Sequence, residues 1–475
     1  MAGCEYEDLE RLVSQEGVEA ALRILFRRGV YLTVDEFKGR RPARRGSATI
    51  DVGPERLLNP DSVPRVQLRS SGSRGMGTPA PIDLAYFRER SVNVCLALDA
   101  RGGIGWAHAE WGVPGSSAVL HLLELSGFGA HPVRWFSQVD PASPVLHARY
   151  RWSARAMHRM GLLARVPLPR PKYVPLDDPL PIARWMADVL RYGRIPHVQT
   201  YPSSAVRLCE AAFNARVHLC GAHFTLTGEP ITAARLAVIR RTGAEAVPRY
   251  GSSESGTIGY GCLAPEAPDD VHLLHDRLAL IQSGSKGEVH GLPADALFVS
   301  SLRPTAPFIL VNVSLGDQAV VTRRQCGCPL EKLGWATRLH TIRSFEKLTA
   351  GGMTFLDADI IHVLENVLPG RFGGAPTDYQ LVEEEGSDGR PCLHLLVHPS
   401  VGPLDTGAVA ETFLRALGSG SRAERVMVLV WRDARLLRVE RRAPLTTPSG
   451  KILHLHIGGR PPEGRRCMHP PSLNE

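Results

Sequence analysis

The run YGSSESG, Tyr250 to Gly256, sets an aromatic ring, a glycine, two hydroxyls and a carboxylate on consecutive positions. A loop of that composition can hold a flat base, a phosphate and a metal ion together. A hard cation takes carboxylate oxygen, and a hydroxyl donates to a phosphate oxygen. The same residue types make ordinary exposed turns, so the run alone leaves both readings open. Upstream, LRSSGSRGMGTP (68–79) is dense enough in glycine and serine for successive backbone N–H groups to form an anion-binding nest. It has no Walker-type lysine, and a flexible linker is the competing reading. Three other polar stretches follow in order: TGEP (227–230), LGD (315–317) after an apolar run, and TTPSGKI (446–452). In the last, Lys451 stands behind Ser-Gly on a loop from which a cation can be swung to a reaction centre.

A second group of residues offers soft ligands. Cys262, His272, Cys326 and Cys328 make an S₃N set, for which zinc in a closed structural site is the default metal. Free thiols in a turn are the alternative, and His275 competes with His272 for the fourth position.

The elements that must position these residues read as an α/β chain. Residues 5–29 carry apolar side chains at helical spacing and end on glycine, which predicts one or two amphipathic helices. Residues 38–82 are rich in Gly, Pro, Ser and Arg and read as extended loop, with RRPARR (40–45) as a solvated basic patch. From there to about 340, helical stretches such as PIARWMADVLRYG alternate with strands such as AVPRYG, DALFVSSL and FILVNVSLGDQAVV. Past 345 the pattern changes to a compact α+β unit: a turn and helix in GGMTFLDADIIHVLENVLPG, a hairpin about Gly386 to Gly389, a helix in TGAVAETFLRAL and a strand in ERVMVLVWR. The expected division is a large N-terminal α/β domain, 1–342, followed by a small mobile α+β domain, 343–475.

Taken in order, the polar motifs resemble the adenylate-forming (ANL) superfamily of acyl-CoA synthetases, peptide-synthetase adenylation domains and luciferases. The nearest likeness is to its phenylacetate–CoA ligase branch, from about residue 66 to 453. SSGSRG resembles the phosphate-binding loop, which gives Ser70, Ser71, Gly72, Ser73, Arg74 and Gly75 to ATP. HVQTYPSSAVRLCE resembles the helix start of the family's "TPSYA" segment. Gly228, Glu229 and Pro230 correspond to the stretch beside adenine. YGSSE matches the Tyr-Gly-x-Ser/Thr-Glu motif. The resemblance implies Tyr250 near adenine, Gly251, Ser252 and Ser253 at the phosphates, and Glu254 on the Mg²⁺ of ATP. LGD matches the "TGD" whose aspartate, here Asp317, holds the ribose. RSFEKLTAGGMTF aligns with the hinge at Arg343, and PSGKI carries the catalytic Lys451, which acts with Glu254. His223 and Phe224 would border the acyl pocket, a packed histidine being the alternative for His223. The branch's Cys…His…Cys-x-Cys pattern supports zinc on Cys262, His272, Cys326 and Cys328. Two departures stand out: the phosphate loop has Arg74 but no lysine before its proline, and Phe345 occupies the hinge position usually held by aspartate.

The resemblance implies a two-step acid–thiol ligase using a small carboxylic acid, ATP and coenzyme A, with an aryl or arylacetic acid favoured by the branch. A carrier-protein thiol or a nitrogen nucleophile as acceptor, and a non-catalytic nucleotide-binding scaffold, are the rival readings. The bulk numbers fit. The 475 residues are 43% hydrophobic and 22% charged, without a membrane-spanning apolar run. The N-terminus lacks the features of a secretory signal, and nine scattered cysteines fit a reducing, cytoplasmic compartment. The formal charge of +8 is spread along the chain, which argues against nucleic acid and suits a nucleotide site. Trp106, Trp111 and Trp135 are expected in the core, and His454 and His456 on the surface of the small domain.

Overall fold

The computed structural model describes residues 5–62, 66–69, 79–140, 168–284, 292–345, 349–350, 353–354, 359–385, 391–419, 425, 428–429, 431–432 and 436–457. The chain divides into a larger unit running to Ser344 and a smaller one beginning at Phe345. The first is α/β and the second α+β.

Among the described residues of the larger unit, twelve strands form one sheet. Half of it is parallel, in the order Pro171–Tyr173, Arg134–Ser137, Ala107–Gly112, Pro196–Thr200, His223–Thr227, Glu245–Ser252. The other half is antiparallel and continues through Gly256–Gly261, Val271–Leu273, Thr337–Ser344, Val313–Arg323 and Ala296–Ser301 to Leu278–Gln282. The parallel strands are linked by helices because a parallel connection needs a crossover. Helices Leu180–Arg191, Pro202–Asn214 and Ala233–Arg241 bury Trp111, Val198, Phe224 and Leu226 on one face. Helices Leu84–Asp99 and Ser116–Ser126 meet the opposite face, where Glu124 accepts hydrogen bonds from Arg90 and Arg249. Trp106, Trp111 and Trp135 are all buried.

The N-terminal segment forms two helices, Tyr6–Glu16 and Val18–Arg27, and the second packs Phe26 edge-on against Phe298. In the basic run Arg40, Arg41 and Arg44 are exposed, as expected of a solvated patch, and Arg45 is the exception. Arg45 ends a short strand, ion-pairs with Glu36 and lies over the Tyr31 ring.

In the smaller unit, strands Leu437–Arg441, Pro391–Val397, Tyr379–Glu385 and Leu455–Ile457 form a sheet in that order. Helix Thr406–Leu417 packs Phe413 and Leu417 into its core. ERVMVLVWR, expected as a strand, is helical at residues 425, 428, 429, 431 and 432. Val428 and Trp431, three apart, face the core while Leu429 is exposed, so a short apolar run has taken the helical period. His454, expected at the surface, is buried and bonds Glu365 at 2.6 Å.

Candidate functional site

In an open α/β sheet, ligands collect beyond the carboxyl ends of the parallel strands, where the chain leaves the sheet and backbone groups are freed. Three of the polar motifs lie there. Strand Pro196–Thr200 leads into a helix with Pro202 in its first turn. Strand His223–Thr227 runs into Gly228, which has a φ of +82°. Strand Glu245–Ser252 turns at Ser253–Ser255 into Gly256–Gly261, so YGSSESG is a tight hairpin where the sheet changes from parallel to antiparallel.

The hairpin's glycines have steric reasons. A Cβ on Gly251 would meet the Gly256 carbonyl oxygen at 2.4 Å, and one on Gly256 would meet the Tyr86 hydroxyl at 2.1 Å. Ser252 Oγ accepts from the backbone N–H groups of Glu254 and Ser255 at 3.2 and 3.0 Å, which fixes the turn. The Ser253 side chain makes no hydrogen bond among the described residues. Tyr86 Oη donates to the Ser255 carbonyl at 3.2 Å, docking the turn on helix Leu84–Asp99. Glu254 is only 7% exposed, yet its carboxylate has no hydrogen-bond or ion-pair partner among the described residues. A carboxylate with no protein partner among the described residues is available to ligate a hard cation.

Tyr250 Oη donates to Asp317 Oδ2 at 2.9 Å, bringing YGSSE and LGD together across the antiparallel half of the sheet. Burial and the adjacent Asp317 push the Tyr250 phenol well above its usual range, so it stays a neutral donor. Asp317 follows Gly316, whose φ is +93°, and its strand pairs with the one carrying Arg343. Arg343 is drawn inward, bonding Asp269 at 3.1 Å. In the TGEP loop the Glu229 side chain is structural. It accepts from Ser203 N at 2.9 Å, Ser203 Oγ at 2.7 Å and buried Arg235 at 2.8 Å, clamping the loop to two helix starts. Gly228 and Pro230 contribute backbone only.

Two expected pocket residues are elsewhere. Phe224 is fully buried in the apolar core, because strand alternation sends it to the face opposite Thr225. His223 opens that strand, at the end away from the polar loops, and stacks on Trp106 at 4.1 Å. Ser70, Ser71, Gly72, Ser73, Arg74 and Gly75 lie outside the described residues.

Cys262, His272, Cys326 and Cys328 converge, their ligand atoms all within 4.8 Å of one another. His272 Nε2 lies 3.2 Å from the Cys328 sulfur and 3.6 Å from that of Cys326. Tetrahedral zinc with bonds of about 2.3 Å separates its sulfur ligands by about 3.8 Å, so the cluster fits. His272 Nδ1 bonds the Trp335 carbonyl at 2.5 Å, which leaves the Nε2 lone pair toward the sulfurs. Glu331 braces the Cys-x-Cys turn by accepting from Cys326 N and Gly327 N. His275 stands apart, accepting from Thr337 N.

In the smaller unit, Lys451 sits on a loop whose two ends are clipped by one side chain. Gln380 donates to the Leu445 and Leu453 carbonyls and accepts from Leu445 N. Thr447 Oγ1 accepts from Lys451 N at 3.1 Å inside the loop.

Comparison of the sequence with protein-family models and with curated proteins finds no match. Solved structures do match. A 2-hydroxyisobutyryl-CoA ligase in its postadenylation state with 2-HIB-AMP superposes with a TM-score of 0.55 at 15% identity, covering 94% of this chain and 84% of that one. The same ligase with R3-HIB-AMP gives 0.52 at 14% identity, with the same coverage. The chain thus shares the fold of these ligase structures.

Proposed function

We propose that this chain, which has the adenylate-forming fold, activates a carboxylic acid with ATP and then transfers the acyl group to the thiol of coenzyme A. The observation that carries the reading is Glu254: a carboxylate without a protein partner among the described residues, in the turn that closes the parallel half of the sheet. The matched structures support it, being described as holding an acyl-AMP.

In the first step the acid's carboxylate oxygen attacks the α-phosphorus of ATP, the bond to pyrophosphate breaks, and acyl-AMP forms. Mg²⁺ would be held by Glu254 and would neutralise phosphate charge. Asp317, oriented by Tyr250, accepts from the ribose hydroxyls, and Ser253 donates to phosphate. Lys451 supplies a cation where charge develops on the bridging oxygens. In the second step the thiol sulfur attacks the acyl carbon and AMP leaves. Zinc on Cys262, His272, Cys326 and Cys328 is structural in this reading, since four protein ligands leave no open position. The cluster also supports the narrower likeness to the phenylacetate–CoA ligase branch.

The test is pyrophosphate release over a panel of carboxylic acids, with and without coenzyme A. Acid-dependent release followed by thioester formation supports the reading. Release with an amine or a carrier-protein thiol as the only productive acceptor replaces its second step, and no release with any acid contradicts it.

A further inference from the structure

Directly after Lys451 the chain enters the interior of the smaller unit: Ile452, Leu453 and His454 are all buried. Backbone bonds hold part of this stretch. The Leu453 carbonyl accepts from Gln380 Nε2 at 2.8 Å, and the His454 carbonyl accepts from Leu381 N at 2.9 Å. The His454 side chain adds a bond of another kind. Its Nε2–H donates at 2.6 Å to Oε1 of Glu365, 89 positions earlier. Both side chains are sealed from water, at 3 and 0% exposure.

Glu365 sits where the helical period calls for an apolar residue. With Ile361, Leu364 and Leu368 it forms an i, i+3, i+4, i+7 stripe, and the other three pack into the core. The helix is locally irregular at this point. From Asp359 to Phe372 it is continuous, but Val363–Val367 form a wide π-turn in which Leu368 N bonds the Val363 carbonyl five residues back. Pro369 follows. It has no N–H for the carbonyl four back, that of Glu365, and its ring crowds that group. Single π-turns inside α-helices occur frequently at functional sites. A well-packed apolar residue in place of a buried charge is often neutral or stabilising. What the carboxylate adds to this core is a fixed position for His454.

Resting on the adenylation reading above, we propose that Glu365 and His454 are positioning residues for Lys451. Their bond fixes the chain three residues behind the lysine, so that the loop presents the ammonium group in one geometry during the first step.

Three measurements on the full chain test this. Amide hydrogen exchange without ligands reads the loop, where the N–H groups of Leu445, Thr447, Gly450 and Lys451 are bonded. Acid-dependent pyrophosphate exchange into ATP reads the first step. Thioester formation from synthetic acyl-AMP and coenzyme A reads the second. Glu365→Ala should speed amide exchange over residues 445–454 by ~10-fold or more, while strands Tyr379–Glu385 and Pro391–Val397 keep their protection. It should lower kcat for pyrophosphate exchange at least ~10-fold, with the KM for ATP and the second step changed by less than ~2-fold. Glu365→Gln keeps an acceptor oxygen in place and should recover most of the rate. Added to Lys451→Ala, Glu365→Ala should cost no further rate, because it acts only through the lysine. Should Glu365→Ala not fold, Glu365→Asp keeps the charge, falls one methylene short of His454 and carries the same comparisons. Unchanged amide exchange over residues 445–454 would overturn the proposal. So would losses that add to those of Lys451→Ala, or that strike both steps alike. No pyrophosphate exchange by the wild-type chain with any acid would sink the adenylation reading, and amide exchange would still decide whether Glu365 anchors the loop.

Discussion

Glu254 makes no side-chain hydrogen bond or ion pair among the described residues, so its carboxylate does little to hold the fold. That sets up a dissociation between stability and activity. Glu254→Gln should leave the melting temperature unchanged, since no side-chain bond among the described residues is lost. The same change should cut Mg²⁺-dependent ATP use by at least ~100-fold, the scale of losing one transition-state electrostatic partner, with AMP binding little altered. Asp317→Ala should behave differently, weakening ATP and AMP alike, because the ribose is common to both. Thermal melts with ATP and AMP titrations on the two variants check this. A shared ATP-to-AMP pattern would contradict the separate roles given to the turn and to Asp317.

Two loops are held by devices that make their own predictions. Cys326 and Cys328 follow the strand that carries Asp317, and Cys262 follows the strand after the Glu254 turn. A metal on the Cys/His cluster therefore ties together the two segments proposed to hold ribose and magnesium. About one equivalent of zinc is expected per chain, and Cys328→Ser should lose it, melt earlier and bind ATP more weakly. Metal-free protein of full stability and activity would reduce the cluster to thiols and a histidine. In the smaller unit, Gln380→Leu leaves two carbonyls and an N–H unpaired, at about 1–3 kcal/mol for each buried group. Lys451→Ala leaves the Gln380 clip in place. It should cut adenylation at least ~100-fold, while Gln380→Leu shows itself first in denaturant unfolding. Unimpaired adenylation by Lys451→Ala would remove the lysine from the mechanism.

At the scale of the whole chain, the α/β order was legible because helical and strand periods alternate along it, whereas the bond from Tyr250 to Asp317, 67 residues away, was not read from the sequence. The convergence of the three cysteines and His272 was legible by residue type, although 64 positions separate Cys262 from Cys326. The polar groups buried on one face of the parallel sheet were not legible. His197, Gln199, Thr225 and Arg249 come from three strands, and only strand order and register bring them together. The alternation in HVQT, with His197 and Gln199 two apart, was the available signal. Phe224 went wrong for the same reason: proximity to TGEP says nothing about which face a strand residue takes. ERVMVLVWR failed because a short apolar run reads equally as strand or buried helix. The most direct test of the central claim is acid-dependent exchange of labelled pyrophosphate into ATP without coenzyme A, using the best acid of the panel. Reversible acyl-adenylate formation predicts exchange that requires the acid, and its loss in Glu254→Gln. Exchange absent with every acid, or undiminished in Glu254→Gln, would contradict the account.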